Sequence, residues 1–488
     1  MEHVDLLVVG GGINGAGIAR DAVGRGLSVM LVEKDDLAAH TSSASSKLIH
    51  GGLRYLEQFE FKLVRESLAE RERLLRAAPH IVEPLRFVIP RSPFSRAAWK
   101  LRAGLFLYDH LGARKVLPPS RGVRLDELGD GLRPFLKKGF AYWDCRVQDS
   151  RLVVLNALDA AERGATIRTR TELVEARRAD GKWLAKLSGS DERTVAASAL
   201  VNAAGAWAGQ LLDRIEDAPR GRPLRLVKGS HIVVPRLFVG DHAFLLQNPE
   251  GRVVFAIPFE GSFTIVGTTD IEWTGAAAEP TISDAETEYL LQTVSRYFTA
   301  RVFRNDIVWS YSGLRALLDD GASDPSKVTR DFDLDLEASG VPLLNVFGGK
   351  ITTYRLLAEE ALKRLRPFFP GAGGAWTERA VLPGGEMPNL EEYAGKLSGS
   401  YRDLPSPLLA RLARTYGIRA ERLLGDARSV GDLGEKFGAD LYALEVDYLM
   451  HHEWARSAED VLWRRTKLGL RMTKAEVARV ADYMAGSS

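Results

Sequence analysis

A single cysteine, Cys145, stands in 488 residues, so no disulfide can close within the chain, and a reducing compartment suits it. Cys145 reads as core filling rather than as a nucleophile. No apolar run approaches the ~20 residues of a membrane-spanning helix, so contact with a membrane is expected only from the surface. Charge of one sign is also scarce. The 66 basic and 64 acidic side chains leave +2, too little to argue for a nucleic-acid partner. An apolar strand already begins at Val4, so no signal peptide is expected ahead of it. The chain is too long for one simple core, and about two to four domains are expected.

What is present begins at once. Val4 to Val9 reads as a buried strand and is followed by Gly10, Gly12 and Gly15 in G-x-G-x-x-G spacing. Ile13 to Val23 has the apolar spacing of a helix packed on a sheet. Ser28 to Val32 reads as a second strand ending in Glu33. Gly10 permits the tight turn, Gly12 lets backbone N–H groups approach a pyrophosphate, and Gly15 lets helix and strand sit close. The helix N-terminus adds partial positive charge, and Glu33 is placed to accept from an adenosine ribose. Together these predict a dinucleotide site.

Further along, Thr41 to Lys47 is a hydroxyl-rich run leading to His50, Arg54 and Tyr55, suited to close approach to a cofactor. Phe59 to Leu75 reads as an amphipathic helix. Pro90 to Lys115 interleaves Arg96, Lys100 and Arg102 with Phe94, Trp99 and Phe106. This pattern fits either an interfacial membrane contact or a buried helix with a solvated basic face. Arg151 to Ala161 reads as helix, and Thr166 to Leu187 as strand and hairpin turning near Asp180-Gly181. A strand at Ala199 to Ala204 runs into Gly205 and Trp207. Leu224 to Thr269 reads as an inserted antiparallel sheet, and Ser283 to Phe298 as helix.

Leu343 to Phe347 is another apolar strand, meeting Gly348-Gly349-Lys350 and a helix to about Leu365. A second strand–Gly–Gly–helix so far downstream favours FAD over NAD, because that helix terminus can hold the charge appearing at the N1/O2 side of a reduced flavin. From Leu390 onward the chain reads as all helix, with capping boxes at Ser457–Asp460 and Thr473–Glu476. His451-His452-Glu453 lacks the i, i+4 spacing of a helical zinc pair, so no metal is expected. Arg464-Arg465-Thr466-Lys467 is expected to be a solvated face or a dimer contact rather than a nucleic-acid patch.

Several stretches together resemble the FAD-dependent glycerol-3-phosphate dehydrogenases of the aerobic, respiratory-chain type. They are Gly10 to Gly17, Thr41 to Tyr55, Lys228-Gly229-Ser230-His231, Gly267-Thr268-Thr269-Asp270, Tyr311 to Arg315, Thr329-Arg330-Asp331 and Gly348 to Tyr354. The likeness covers nearly the whole chain. One departure is Ala316, where the family pattern has proline, a change expected to loosen the loop that holds Arg315. The resemblance implies an α/β fold: a Rossmann-like FAD-binding domain (1–85, 140–215 and 340–370), an inserted mainly antiparallel β substrate or cap domain (86–139 and 216–339) and an all-α C-terminal domain (386–488). It also implies non-covalent FAD, sn-glycerol 3-phosphate as substrate, a membrane quinone as acceptor and no nucleic acid. The protein is expected to be a homodimer in the cytoplasm, held at the inner face of the cytoplasmic membrane.

The expected flavin contacts are Gly10, Gly12, Asn14, Gly15, Glu33, Thr41, Ser42, Ser43, Ser46, Lys47, Ile49, Val174, Gly205, Trp207, Gly348, Gly349, Lys350 and Thr352. A small dianion asks for cations, and Arg54, Arg315 and Arg330 can offer bidentate donors, with Tyr55, Thr269 and His231 adding directional bonds. His231, Arg315 and Lys350 are the expected catalytic groups. His231 has the unperturbed pKa of a base near neutrality, yet it could equally donate to phosphate. Lys350 orients the flavin or touches substrate hydroxyls. Two alternatives share the cofactor: a glycerol-3-phosphate oxidase using O₂, and an amino-acid-oxidase-like flavoenzyme.

Overall fold

The computed structural model of the chain describes residues 1–112, 116–127, 131–218, 224–275, 280–318 and 331–486. The apolar run at the N-terminus becomes the strand Glu2–Val9, central in an eight-stranded sheet. It is flanked in parallel by Val29–Val32 on one side and Arg193–Asn202 on the other. Leu343–Gly348 runs parallel to Arg193–Asn202, and Phe332–Glu337 closes that edge antiparallel. Chain direction therefore brings the ends of four parallel segments, Val9, Val32, Asn202 and Gly348, to one edge, where an open α/β sheet holds its ligand. The helices Ile13–Gly24, Asp149–Glu162 and Tyr354–Leu365 contribute to one face of this sheet's core, which includes the fully buried Leu6, Val8 and Ile18. Cys145 is buried in the same core.

A second, ten-stranded sheet is antiparallel except where His242–Gln247 runs parallel to Val82–Pro90. Its long strand Leu224–Pro235 pairs with Trp309–Leu318 and with Phe263–Gly267. Its membership crosses the expected domain boundaries. Leu48–Ile49, Val82–Pro90 and Lys138–Val147 belong to it, although much of their sequence falls in stretches assigned to the nucleotide unit. Phe332–Glu337, assigned to the cap, joins the first sheet instead. Strand pairing between distant segments decides membership, and contiguous spacing does not report it. Ala316 is also part of a strand rather than of the expected loop, paired with Leu226.

Beyond residue 389 the helices Leu390–Ser400, Ser406–Tyr416, Ala443–His452 and Lys474–Gly486 enclose their own core. A small hairpin, Lys436–Gly438 with Leu441–Tyr442, interrupts the expected all-helical reading. Both capping boxes form: Ser457 pairs reciprocally with Asp460, and Thr473 with Glu476. The basic run 464–467 is not a solvated face. Arg464 and Arg465 are buried and reach Asp36, just past the second strand, at 2.7 and 2.6 Å. Glu453 is likewise turned inward, against Arg151, and His451 bonds the Asp447 carbonyl oxygen. These buried ion pairs dock the helical domain onto the nucleotide unit.

The stretch from Pro90 contains the helix Ala98–Leu111, which buries Leu101, Leu105 and Tyr108 while Trp99 and Phe106 are 70% and 54% exposed. Arg114 and Lys115 lie outside the described residues. Among the described residues no helix is long and apolar enough to cross a membrane.

Candidate active site

At the edge where the parallel strands end, two adjoining cavities of about 850 and 1940 Å³ share Gly12, Thr41, Ser42 and Gly205 as walls. The smaller runs past Glu33, Lys34, Leu173 and Trp207; the larger runs past Arg54, His231, Arg315 and Lys350. One elongated groove thus joins a narrower compartment to a wider chamber between the two sheets.

The groove's first wall follows from close packing. A Cβ on Gly15 would lie 1.9 Å from the Gly10 carbonyl oxygen, and one on Gly10, at φ +117°, 2.4 Å from that of Ala203. No side chain fits at either position, so the helix start is pressed against the sheet. Glu33 is buried, and its carboxylate accepts from the backbone N–H groups of Gly11 (2.6 Å) and Asp35 (2.9 Å). Burial outweighs those bonds and holds its pKa above the usual carboxylate value. Asn14 ties the first glycine turn to the last, donating to the Gly348 carbonyl oxygen at 3.2 Å. Its buried Oδ1 has no partner among the described residues. A helix start without side chains in the way, an orphaned amide oxygen beside it and an acid at the second strand's end are a donor and acceptor set that fits FAD.

The run Thr41 to Lys47 threads between groove and core. Thr41 and Ser42 line the groove: Thr41 donates to the Leu314 carbonyl oxygen (2.7 Å), and the Ser42 hydroxyl accepts from the Ile13 N–H (3.0 Å). Ser43 instead donates to the His40 carbonyl oxygen on the loop's outer side. Lys47 is buried beneath the loop, its Nζ donating to the Ser43 carbonyl oxygen (2.8 Å) and Asp149 (2.9 Å), so it braces the loop. Ile49 is fully buried in the core because strand alternation sends Leu48 and His50 to the groove. Val174 is 41% exposed and outside the lining, since a bulge between Leu173 and Glu175 leaves it unpaired while Leu173 faces the cavity. Gly205 and Trp207 do line the smaller compartment, with Trp207 packed on His40 and under Lys34.

In the wider chamber the expected substrate groups converge from separate elements. Arg54 and Tyr55 come from the short helical segment Leu53–Gln58, Arg315 from the cap sheet, and Lys350 from the last glycine turn. Lys350 Nζ lies 3.8 Å from the centre of the Tyr55 ring, and Thr352 accepts from the His50 N–H at 3.3 Å. Arg315 Nη1 pairs with Asp270 at 2.6 Å and Nη2 reaches Thr268 Oγ1 at 3.2 Å. Arg54 Nη1 lies 3.9 Å from the other Asp270 oxygen. Thr269 is turned away: it donates to Glu286 (2.7 Å) behind the sheet, and Thr268 lines the chamber in its place. Arg330 lies outside the described residues.

His231 is the most constrained member. Its Nε2 is 2.9 Å from Ser46 Oγ, and its ring stacks on Tyr311 at 4.8 Å. Nδ1 is buried with no partner among the described residues. Burial first, then the cations Arg315 and Lys47, hold its pKa well below the usual imidazole value, so the ring is neutral at pH 7. Asp144, which was not expected as a site residue, lines the chamber, and Tyr108, expected only as part of the basic–aromatic stretch, lies buried behind it. The Tyr108 hydroxyl donates to Asp144 (2.8 Å) and accepts from the Gly51 N–H (2.8 Å), fixing the turn that leads to Arg54. Asp270 was also missed as a site residue, although the run Gly267 to Asp270 that contains it is one of the stretches carrying the resemblance.

With this geometry described, comparison with known proteins is specific. Residues 5–355 match the family model of the FAD dependent oxidoreductases, and residues 375–487 that of the C-terminal domain of alpha-glycerophosphate oxidase. The chain is 54% identical to a glycerol-3-phosphate dehydrogenase of Pseudomonas aeruginosa, covering 99% of this chain and 95% of that one. It is 51% identical to a D-erythritol 1-phosphate dehydrogenase of Brucella abortus (99% and 98% covered) and 49% to the aerobic glycerol-3-phosphate dehydrogenase of Escherichia coli (99% and 98% covered). Among solved structures, the glycerol-3-phosphate dehydrogenase of Bacillus halodurans complexed with FAD superposes with a TM-score of 0.75 at 26% identity, covering 99% and 94% of the two chains. The chain belongs to the FAD-dependent oxidoreductases, in the glycerol-3-phosphate dehydrogenase family.

Proposed function

We propose that the chain oxidises sn-glycerol 3-phosphate to dihydroxyacetone phosphate, with FAD as the first acceptor and a membrane quinone as the second. The observation that carries the proposal is the meeting of Arg54, from a short helical segment, and Arg315, from a strand of the second sheet, beside a neutral buried histidine in the chamber adjoining the dinucleotide groove. Bound FAD supplies a hydride acceptor for C2 of the substrate. Gly10, Gly12, Asn14, Glu33, Ser42, Gly205 and Gly349 hold it in this reading. Arg54, Arg315 and Arg330 bind the phosphate, and Lys350 orients the hydroxyl end over Tyr55.

The proton of the C2 hydroxyl goes to His231 Nε2, with the Ser46 hydroxyl as bridge. Arg315 is one of the charges that depress this histidine. Pairing Arg315 with a phosphate dianion relieves that depression, so the base strengthens as substrate arrives. The exposed Trp99 and Phe106, with Lys100 and Arg102 beside them, support peripheral docking on the inner face of the cytoplasmic membrane.

The deciding experiment is anaerobic mixing of the holoenzyme with sn-glycerol 3-phosphate while flavin absorbance is followed. Bleaching is expected, and its absence refutes the reaction. Arg315→Ala should raise the half-saturating concentration about 100-fold or more, since a charge-paired contact of this kind is worth about 3 kcal/mol or above. Unchanged half-saturation removes Arg315 from the clamp. Because one relative is named for a four-carbon polyol phosphate, D-erythritol 1-phosphate is the comparison substrate. Stoichiometric hydrogen peroxide without added quinone would assign the chain to the oxidases instead.

A further inference from the structure

Asp270 occupies the place where an anion is wanted. Its two carboxylate oxygens face two different guanidinium groups, Oδ1 toward Arg315 at 2.6 Å and Oδ2 toward Arg54 at 3.9 Å. These arginines come from separate elements, a short helical segment and a strand of the second sheet, and meet at this side chain, which lines the same chamber. Arg315 spends one terminal nitrogen on Asp270 and the other on Thr268. A phosphate that engages the fork of Arg315 in a bidentate manner must compete for those donors.

Among the described residues of the clamp, Arg54, Arg315 and Lys350 set three positive charges against the single carboxylate. His231, held neutral, adds none. Asp270 thus lowers by one the positive charge that faces a phosphate dianion, and its removal would restore that charge. We propose that Asp270 is a built-in placeholder anion: it holds the two arginines in register between turnovers and limits how tightly a phosphate is retained. This rests on the reading of the chamber as a phosphate-ester site. Substrate enters by displacing the carboxylate from the guanidinium groups, and the carboxylate regains them as product leaves. Affinity is thereby lowered for substrate and product alike, which keeps release of the phosphate from becoming the slow step.

The test is a titration of the FAD holoenzyme and its Asp270→Asn and Asp270→Ser variants with inorganic phosphate and with dihydroxyacetone phosphate. Perturbation of flavin absorbance is followed at fixed ionic strength. Both variants are expected to bind both ligands about tenfold tighter or more, because a charge repelling the dianion at close range has been removed. In turnover, KM and kcat should fall together. Unchanged affinity overturns the placeholder. Weakened affinity overturns it as well, since that is the mark of a carboxylate that only positions the arginines. Loss of flavin from both variants also counts against it, because a placeholder is not needed for folding. If the unsubstituted enzyme binds neither ligand, the phosphate-ester reading fails instead, and the two failures remain distinct.

Discussion

Replacing Asp36 by asparagine should loosen the helical domain from the nucleotide unit. Asp36 is 1% exposed and accepts from Arg464 Nε at 2.7 Å and from Arg465 at 2.6 and 2.8 Å. Removing its charge leaves two buried guanidinium groups short of a counter-ion. Breaking such a buried pair costs about 3–5 kcal/mol, against about 0–1 kcal/mol for an exposed one. Some compensation persists: Arg464 keeps Glu459 and Asp460, and Arg465 keeps the Glu453 carbonyl oxygen. The loss should therefore fall near the lower bound, about 3 kcal/mol. Global melting of so large a chain is not a two-state measurement. Local amide exchange across residues 457–471, read by mass spectrometry, is the suitable assay. A loss of about 3 kcal/mol should speed exchange there roughly a hundredfold. Pairing Asp36→Asn with Arg465→Met should recover part of it, because no unpaired charge is then left buried. Acceleration below about tenfold would mean the pairs behave as solvated ones, and the docking argument would be refuted.

Three other expectations follow from named contacts. Gly15→Ala places a methyl 1.9 Å from the Gly10 carbonyl oxygen, so the purified protein should come without flavin; a full complement of FAD would show that the turn can yield. His80, fully buried beside Arg151, is held at about 3 by burial first and that charge second. The unfolded chain binds its proton from about pH 6.5 downward, so this group's stability is present above 6.5 and is lost as pH falls toward 3. By pH 5 the loss is about 2 kcal/mol, and His80→Leu should flatten the acid side of a stability–pH curve; an unchanged curve would clear the histidine. For His231, whose pKa is lowered by burial and by Arg315 and Lys47, the proposed role as base requires the neutral form. Activity should hold above pH 6.5 and decline only at more acid pH. An acid limb in kcat/KM centred above 6.5, or one unmoved in His231→Gln, would assign the proton to another group.

Much of the nucleotide unit was legible because its parts are contiguous: strand, glycine turn, helix, strand and Glu33 lie within thirty-three residues, and local spacing carries the geometry. The last glycine turn at Gly348 and Gly349 was legible for the same reason. Arg464 and Arg465 were not, because a charged run looks solvated until its partner is known. That partner, Asp36, is 428 residues from Arg464. Val174 and Ile49 depended on a bulge and on strand parity, which a single residue's shift reverses. Asp270 and Tyr108 carried no local signal of their roles, since each acts through contacts with another element.

The sequence by itself determined the cofactor class and the family, because these rest on motifs short enough to be read in line. Only the tertiary structure decided which of those residues share a cavity. It set Asp270 between two arginines, held His231 neutral and spent Lys47, Thr269 and the 464–465 pair on bracing. Charge and proton affinity depend on distance and burial, and those exist only once the two sheets and the helical domain have closed on one another.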